Sequence, residues 1–96
     1  MDFSNSDGFE WDLGNITKVQ QRLDLSLVEF AFQGNPYVAL DEKHSGAEER
    51  WAMVNRIHDR FVYVIFTKRE KKLRVISARY MRKKEAKRYE HWFGKT

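Results

Sequence analysis

The run Phe61-Val62-Tyr63-Val64-Ile65-Phe66 constrains this chain more than any other stretch. It is apolar throughout and made of β-branched and aromatic side chains, which suit a pleated strand. A strand apolar on both sides must be covered on both faces, so it belongs in the middle of a sheet. Its flanks say which kind. Upstream, residues 50–57 alternate, with Trp51, Met53 and Ile57 on one side and Ala52 and Val54 on the other, and His58-Asp59 makes a tight turn. Downstream, Glu70-Lys71-Lys72 turns the chain into a strand over 73–79. Tyr37-Val38-Ala39-Leu40 reads as one strand more. Strands in succession at hairpin spacing predict an antiparallel meander.

Helical signals lie on either side of that block. Asp12 offers a carboxylate cap to a helix in which Ile16, Val19 and Leu23 recur at spacings of three and four. Ser26-Leu27-Val28-Glu29 matches the capping box and predicts a second helix over 27–33. Gly34 then suits the left-handed position past its end. Phe9-Glu10-Trp11 fits a short first strand. After residue 81, Met81, Glu85, Ala86, Tyr89, Trp92 and Phe93 share one helical side, and Lys83, Lys84, Lys87, Arg88 and His91 the other. The expected fold is α+β: two N-terminal helices, a small mostly antiparallel sheet, and a C-terminal helix from about Arg82. Residues 1–8 read as a flexible tail and 9–96 as one domain, since 96 residues leave no room for two ordinary ones.

Charge divides the chain. Residues 1–48 hold three Lys/Arg against nine Asp/Glu, whereas 49–96 hold fifteen against five. Such asymmetry points to a polyanionic or acidic partner, or to two halves that neutralise each other. The absence of cysteine excludes disulfides and thiolate chemistry. His44, His58 and His91 lack metal-ligand spacing, and no glycine-rich phosphate loop or nucleophile elbow occurs. The acidic start is unlike a secretory signal, and no apolar run is long enough for a membrane span, so a cytoplasmic protein without cofactor is expected.

What remains is arginine, histidine, carboxylates and aromatics, the residue types of phosphate recognition and base stacking. His44 to Arg50 places an imidazole, two carboxylates and a guanidinium within seven positions, which serves a solvated turn or acid–base chemistry. Arg79 ends a strand, where its fork suits a carboxylate or a phosphate equally. Tyr80 and Tyr89 read as packing residues. The stripe Lys83, Lys84, Lys87 and Arg88 is a solvated face or an RNA-binding one.

Five blocks occur in one order over residues 9–90: Phe9-Glu10-Trp11-Asp12, His44-Ser45-x-x-Glu48-Glu49-Arg50-Trp51, Thr67-x-Arg69, Ile76-Ser77-Ala78-Arg79 and Glu85-x-x-x-Tyr89-Glu90. Together they resemble the BrnT family, ribonuclease toxins of bacterial type II toxin–antitoxin pairs. The resemblance implies a RelE-like fold and metal-independent RNA cleavage that inhibits translation. It also implies a BrnA-like antitoxin with a ribbon-helix-helix segment, through which alone DNA is engaged. Cleavage of this kind uses the ribose 2′-OH against the adjacent phosphate, arginines to stabilise the phosphorane, and an acid at the leaving 5′-oxygen. Carried over by motif, the catalytic positions are His44, Glu49, Arg50, Arg69, Arg79 and Tyr89. Glu49, Arg50, Arg69 and Arg79 are expected to converge on one sheet face near His44.

One departure stands out. The family usually has a Lys-His-Gly turn after the first helix, where this chain has Gln20-Gln21-Arg22-Leu23-Asp24. The alternatives to a toxin ribonuclease are therefore a catalytically silent relative that binds antitoxin or RNA only, and a small basic RNA-binding domain of another kind.

Overall fold

The apolar run lies inside β3 (Arg60–Arg69), hydrogen-bonded on both sides in a computed structural model that describes residues 8–93. With β1 (Tyr37–Leu40), β2 (Trp51–Ile57) and β4 (Lys72–Tyr80) it forms an antiparallel sheet in the order β1-β2-β3-β4. The expected meander is therefore present. Both inner hairpins use two-residue turns whose first residue takes a positive φ, 58° at His58 and 55° at Glu70. The tail expected over residues 1–8 falls outside the described residues except for Gly8.

Alternation sorts the side chains onto two faces. Met53, Val62, Val64, Phe66, Leu73, Val75 and Ala78 face α1 (Ile16–Gln20) and α2 (Leu25–Phe30), burying Val19, Leu23, Val28 and Phe32. Val54 and Phe61 face the other way, where α3 (Lys83–Phe93) brings Ala86, Tyr89 and Phe93. Each large apolar side chain fully buried contributes roughly 1.5–3 kcal/mol. Twelve buried residues make the first core and three the second, so the first dominates stability and the α3 face is the less committed one.

The caps differ from expectation. Asn15, not Asp12, precedes α1, and Asp24, not Ser26, precedes α2; neither makes a side-chain cap bond. The capping box does not form because Ser26 lies inside α2 and Glu29 is not at N3; Glu29 Oε2 instead accepts from Trp11 Nε1 at 2.8 Å. Asp12 instead accepts from Gly14 N and from Arg74. Gly34 does take the left-handed conformation past α2, with φ of 78°. Trp92, expected on the packed side of α3, is half exposed at its flank, where its ring meets Tyr37 edge-on.

Residues 8–10 lie along the outer edge of β4, parallel to it. Leu73 N donates to Gly8 O, and Glu10 N donates to Leu73 O. Buried Asn15 closes the next stretch, donating to Glu10 O and, at 2.9 Å, to Val75 O. Opposite residues 65 and 66 a bulge leaves Ile76 as an extra residue.

Candidate active site and nucleic-acid interface

Two rows of side chains cross the α3 face. Strand pairing aligns Tyr37, Val54, Tyr63 and Arg79 in one, and Ala39, Ala52, Ile65 and Ser77 in the next. Tyr89 and Ala86 of α3 pack on the first row. The second row is short-chained apart from Ile65 and only half buried, so this half of the face stays accessible.

Arg79 ends the first row, on the edge strand β4. Its guanidinium stands 5.0 Å from the centroid of the Tyr63 ring, a cation–π distance. Nη1 and Nη2 donate to the two oxygens of Glu85, both at 2.9 Å, and Nη1 also donates to Tyr80 O. Glu85 is held in turn by the backbone N–H of Arg82 at 3.1 Å. These donors hold its carboxyl far below the usual range, at about 2, with the Arg79 hydrogen bond the largest cause. A guanidinium has five N–H donors. Three are used here, which leaves the side-on fork of Nε–H and the second Nη2–H without a partner among the described residues.

Phenols flank this row, and an imidazole lies past the end of β1. Burial pushes the Tyr63 hydroxyl up, and the charge of Asp41 raises it further. Burial likewise raises Tyr89, whose ring meets Tyr37 at 5.3 Å. Asp41 continues the β1–β2 ladder, its N–H donating to Arg50 O, and its carboxylate lies 2.8 Å from His44 Nδ1. A carboxylate only accepts, so a hydrogen sits on Nδ1.

The other expected positions go elsewhere. Tyr63 and Arg69 are six residues apart on β3, about 20 Å at strand rise. Arg69 donates to Glu48 at 2.9 Å and lies 3.5 Å from Glu10, while Arg74 donates to Glu10 and to both oxygens of Asp12. Their hydrogen bonds lower the carboxyls of Glu48 and Asp12. The field of Arg50 adds to the lowering of Glu48. Glu49 contributes its backbone, accepting from Thr67 Oγ1 at 2.7 Å, and its side chain is exposed. The expected convergence is thus corrected: strand length separates Arg69 from Arg79, Arg79 stands over Tyr63 and Tyr89 packs on the same row, whereas His44 is bound to Asp41, four positions farther along β1 than that row. Lys83, Lys84, Lys87 and Arg88 are exposed on α3.

Sequence reasoning passed over Tyr63, hidden in an apolar run, and Asp41, whose signal was its position three residues before a histidine. It also gave no role to Lys18, although Lys18 lines a cleft of about 350 Å³ with Gln21, Arg22, Ser77, Ala78 and Arg79. A second cleft of about 680 Å³ continues past Arg22 and Arg79 to Tyr80, Arg82, Lys84 and Glu85.

An arginine fork with flanking phenols beside a cationic edge, on an α+β scaffold, is the residue chemistry suited to phosphate groups. A sequence model of the family described as "Ribonuclease toxin, BrnT, of type II toxin-antitoxin system" matches residues 11–85. The chain therefore belongs to the BrnT family of type II ribonuclease toxins. That span includes His44, Glu49, Arg50, Arg69, Arg79 and Glu85; Tyr89 lies beyond it. No curated protein and no solved structure matches the chain. Among the described residues no helix is long and apolar enough to cross a membrane.

Proposed function

We propose that the protein is an endoribonuclease that cuts RNA by attack of a ribose 2′-OH on the adjacent phosphate, without a metal ion, and so inhibits translation. The observation that carries this reading is the divided guanidinium of Arg79. Glu85 fixes one fork, and the other is left free beside an open cleft. A fork held in place before the substrate arrives stabilises a phosphorane without reorganising, and loss of such a contact typically costs about 10²–10³ in rate. Tyr63 and Tyr89, whose raised hydroxyls stay protonated, donate hydrogen bonds to the charged oxygens. Arg69 is engaged by Glu48 and Glu10 instead.

The test is cleavage of a defined RNA in the presence of a chelator. Products ending in 2′,3′-cyclic phosphate and 5′-hydroxyl support the reading, and loss of cleavage in Arg79→Ala with RNA binding retained supports the role of the fork. Cleavage that stops with the chelator, or that leaves 5′-phosphates, overturns it. The partner that fits is a BrnA-like ribbon-helix-helix antitoxin, whose co-expression should restore growth.

A second reading has its own observation. The α1–α2 connection contains no histidine, and Arg22, which stands there, cannot act as a base at neutral pH. A silent relative would bind RNA or antitoxin and cut nothing.

A further inference from the structure

The outer edge of β4 changes character along its length. From Leu73 to Val75 it is closed by residues 8–10 and by Asn15. From Ser77 to Tyr80 it opens into the two clefts, which adjoin because Arg22 and Arg79 line both. Four further cations are distributed along them: Lys18 and Arg22 from the α1 end, Lys84 and Arg82 from the α3 end. Among the described residues none of the side chains of Lys18, Arg22, Arg82 and Lys84 has an ion pair or hydrogen bond, and no carboxylate lines the smaller cleft. The single carboxylate of the larger one, Glu85, is already bound to Arg79.

Gathering like charges without counter-ions works against the fold unless a polyanion comes between them. The two clefts meet at Arg79, so an anion running along both passes its free fork. A chain with regularly spaced charges satisfies this better than a single phosphate. We infer that the α1–β4 edge is the binding track for the sugar–phosphate backbone of a single RNA strand, Lys18 and Arg22 gripping it on one side of the phosphate at Arg79 and Arg82 and Lys84 on the other. This rests on the ribonuclease reading and adds α1 to the substrate site. It also ranks the cations of α3: Lys84 lines the track, whereas Lys83 and Lys87 do not.

The experiment measures binding of a fluorescein-labelled single-stranded oligouridylate to the full-length chain across a salt series, alongside cleavage. Three double charge reversals carry the same change in charge: K18E/R22E on the track, K83E/K87E on the outside of α3, and K71E/K72E at the β3–β4 turn. The exposed sites tolerate substitution, and thermal melting confirms folding; K18Q/R22Q repeats the test without new acidic groups. The track predicts that K18E/R22E weakens binding tenfold or more. It also predicts a salt slope shallower by about 1.4, from roughly 0.7 per lost phosphate contact on a single strand. The other two reversals should cost no more than about threefold. Equal losses in all three, or none in K18E/R22E, overturn the track, as does loss of antitoxin binding in K18E/R22E with RNA binding intact. Wild-type protein that binds in this pattern but cuts nothing removes the catalytic reading and leaves the track standing.

Discussion

Arginines at the two ends of the β3–β4 hairpin are treated in opposite ways. At the turn, Arg69 and Arg74 meet Glu10, Asp12 and Glu48, and both guanidinium groups are shared among carboxylates from two other parts of the chain. At the far end Arg79 meets one carboxylate, keeps a free fork, and is surrounded by cations that meet none. Exposed ion pairs add little each, about 0.2–1 kcal/mol. Their chief effect at the turn is to fasten the N-terminal segment, and three carboxylates of the acidic half, Glu10, Asp12 and Glu48, are engaged there. The basic half keeps its surplus where the β4 edge opens. Pairing, rather than the number of positive charges, separates the end that holds the molecule together from the end whose cations stay unpaired.

The sharpest way to break this comparison is to remove one arginine from each end. Arg79→Ala should lower single-turnover cleavage by about 10²–10³, or roughly 3–4 kcal/mol of transition-state stabilisation, with RNA affinity changed much less. A normal rate for that variant would place the chemistry elsewhere. Arg74→Ala should do the reverse. Loss of its charged hydrogen bonds to Glu10 and Asp12 should lower unfolding free energy by about 1–2 kcal/mol in a denaturant titration, with the cleavage rate of the folded protein unchanged.

Acid sharpens the contrast from the Glu85 side. Its carboxyl titrates at about 2 instead of the ordinary 4.5, so the stabilisation it brings is complete above about pH 4.5 and is lost as pH falls towards 2. Melting temperatures of wild type and Glu85→Gln should therefore lie apart above pH 4.5 and converge near pH 2; a constant gap would mean that the Arg79 pair is not its cause. The smallest effect expected is that of Glu70→Gly. Glycine takes the positive φ at this turn without a Cβ penalty, for a gain of roughly 0.5–1 kcal/mol in stability. The variant also removes a carboxylate from the turn end, and tighter RNA binding would show that this end takes part in recognition after all.

The sheet was legible because period-two alternation is local: Met53 and Val54 go to opposite cores, as their neighbours in sequence imply. The helix starts were not, because their signals were taken by distant partners. Glu29 is bound by Trp11, eighteen positions away, and Asp12 by Arg74, sixty-two away. At Arg79 the sequence left carboxylate and phosphate as equal readings, and the structure gives one fork to Glu85 while leaving the other open. The facing of Arg79 relative to Arg69 could not be counted from strand parity, since the extra residue at Ile76 shifts the phase of β4 between them. His44 was visible as chemistry without its partner Asp41, and Tyr63 and Arg79 only become neighbours when β3 and β4 are laid side by side.

The parallel fastening of residues 8–15 to β4 sets an order of events in time. Asn15 and Val75 are sixty residues apart, so during synthesis at about 5–20 residues per second α1 waits roughly 3–12 s for the edge it will line. Until then Lys18 and Arg22 have no opposite wall, and a nascent chain presents no finished groove to RNA. Contacts of such long range also close late when the whole chain refolds, because they bear the largest loop-closure cost. Pulse-labelled hydrogen exchange should find the amides of Glu10 and Leu73 protected after those of the β2–β3 hairpin; early protection of Glu10 would mean that the N-terminal segment docks before the strand it borders is complete.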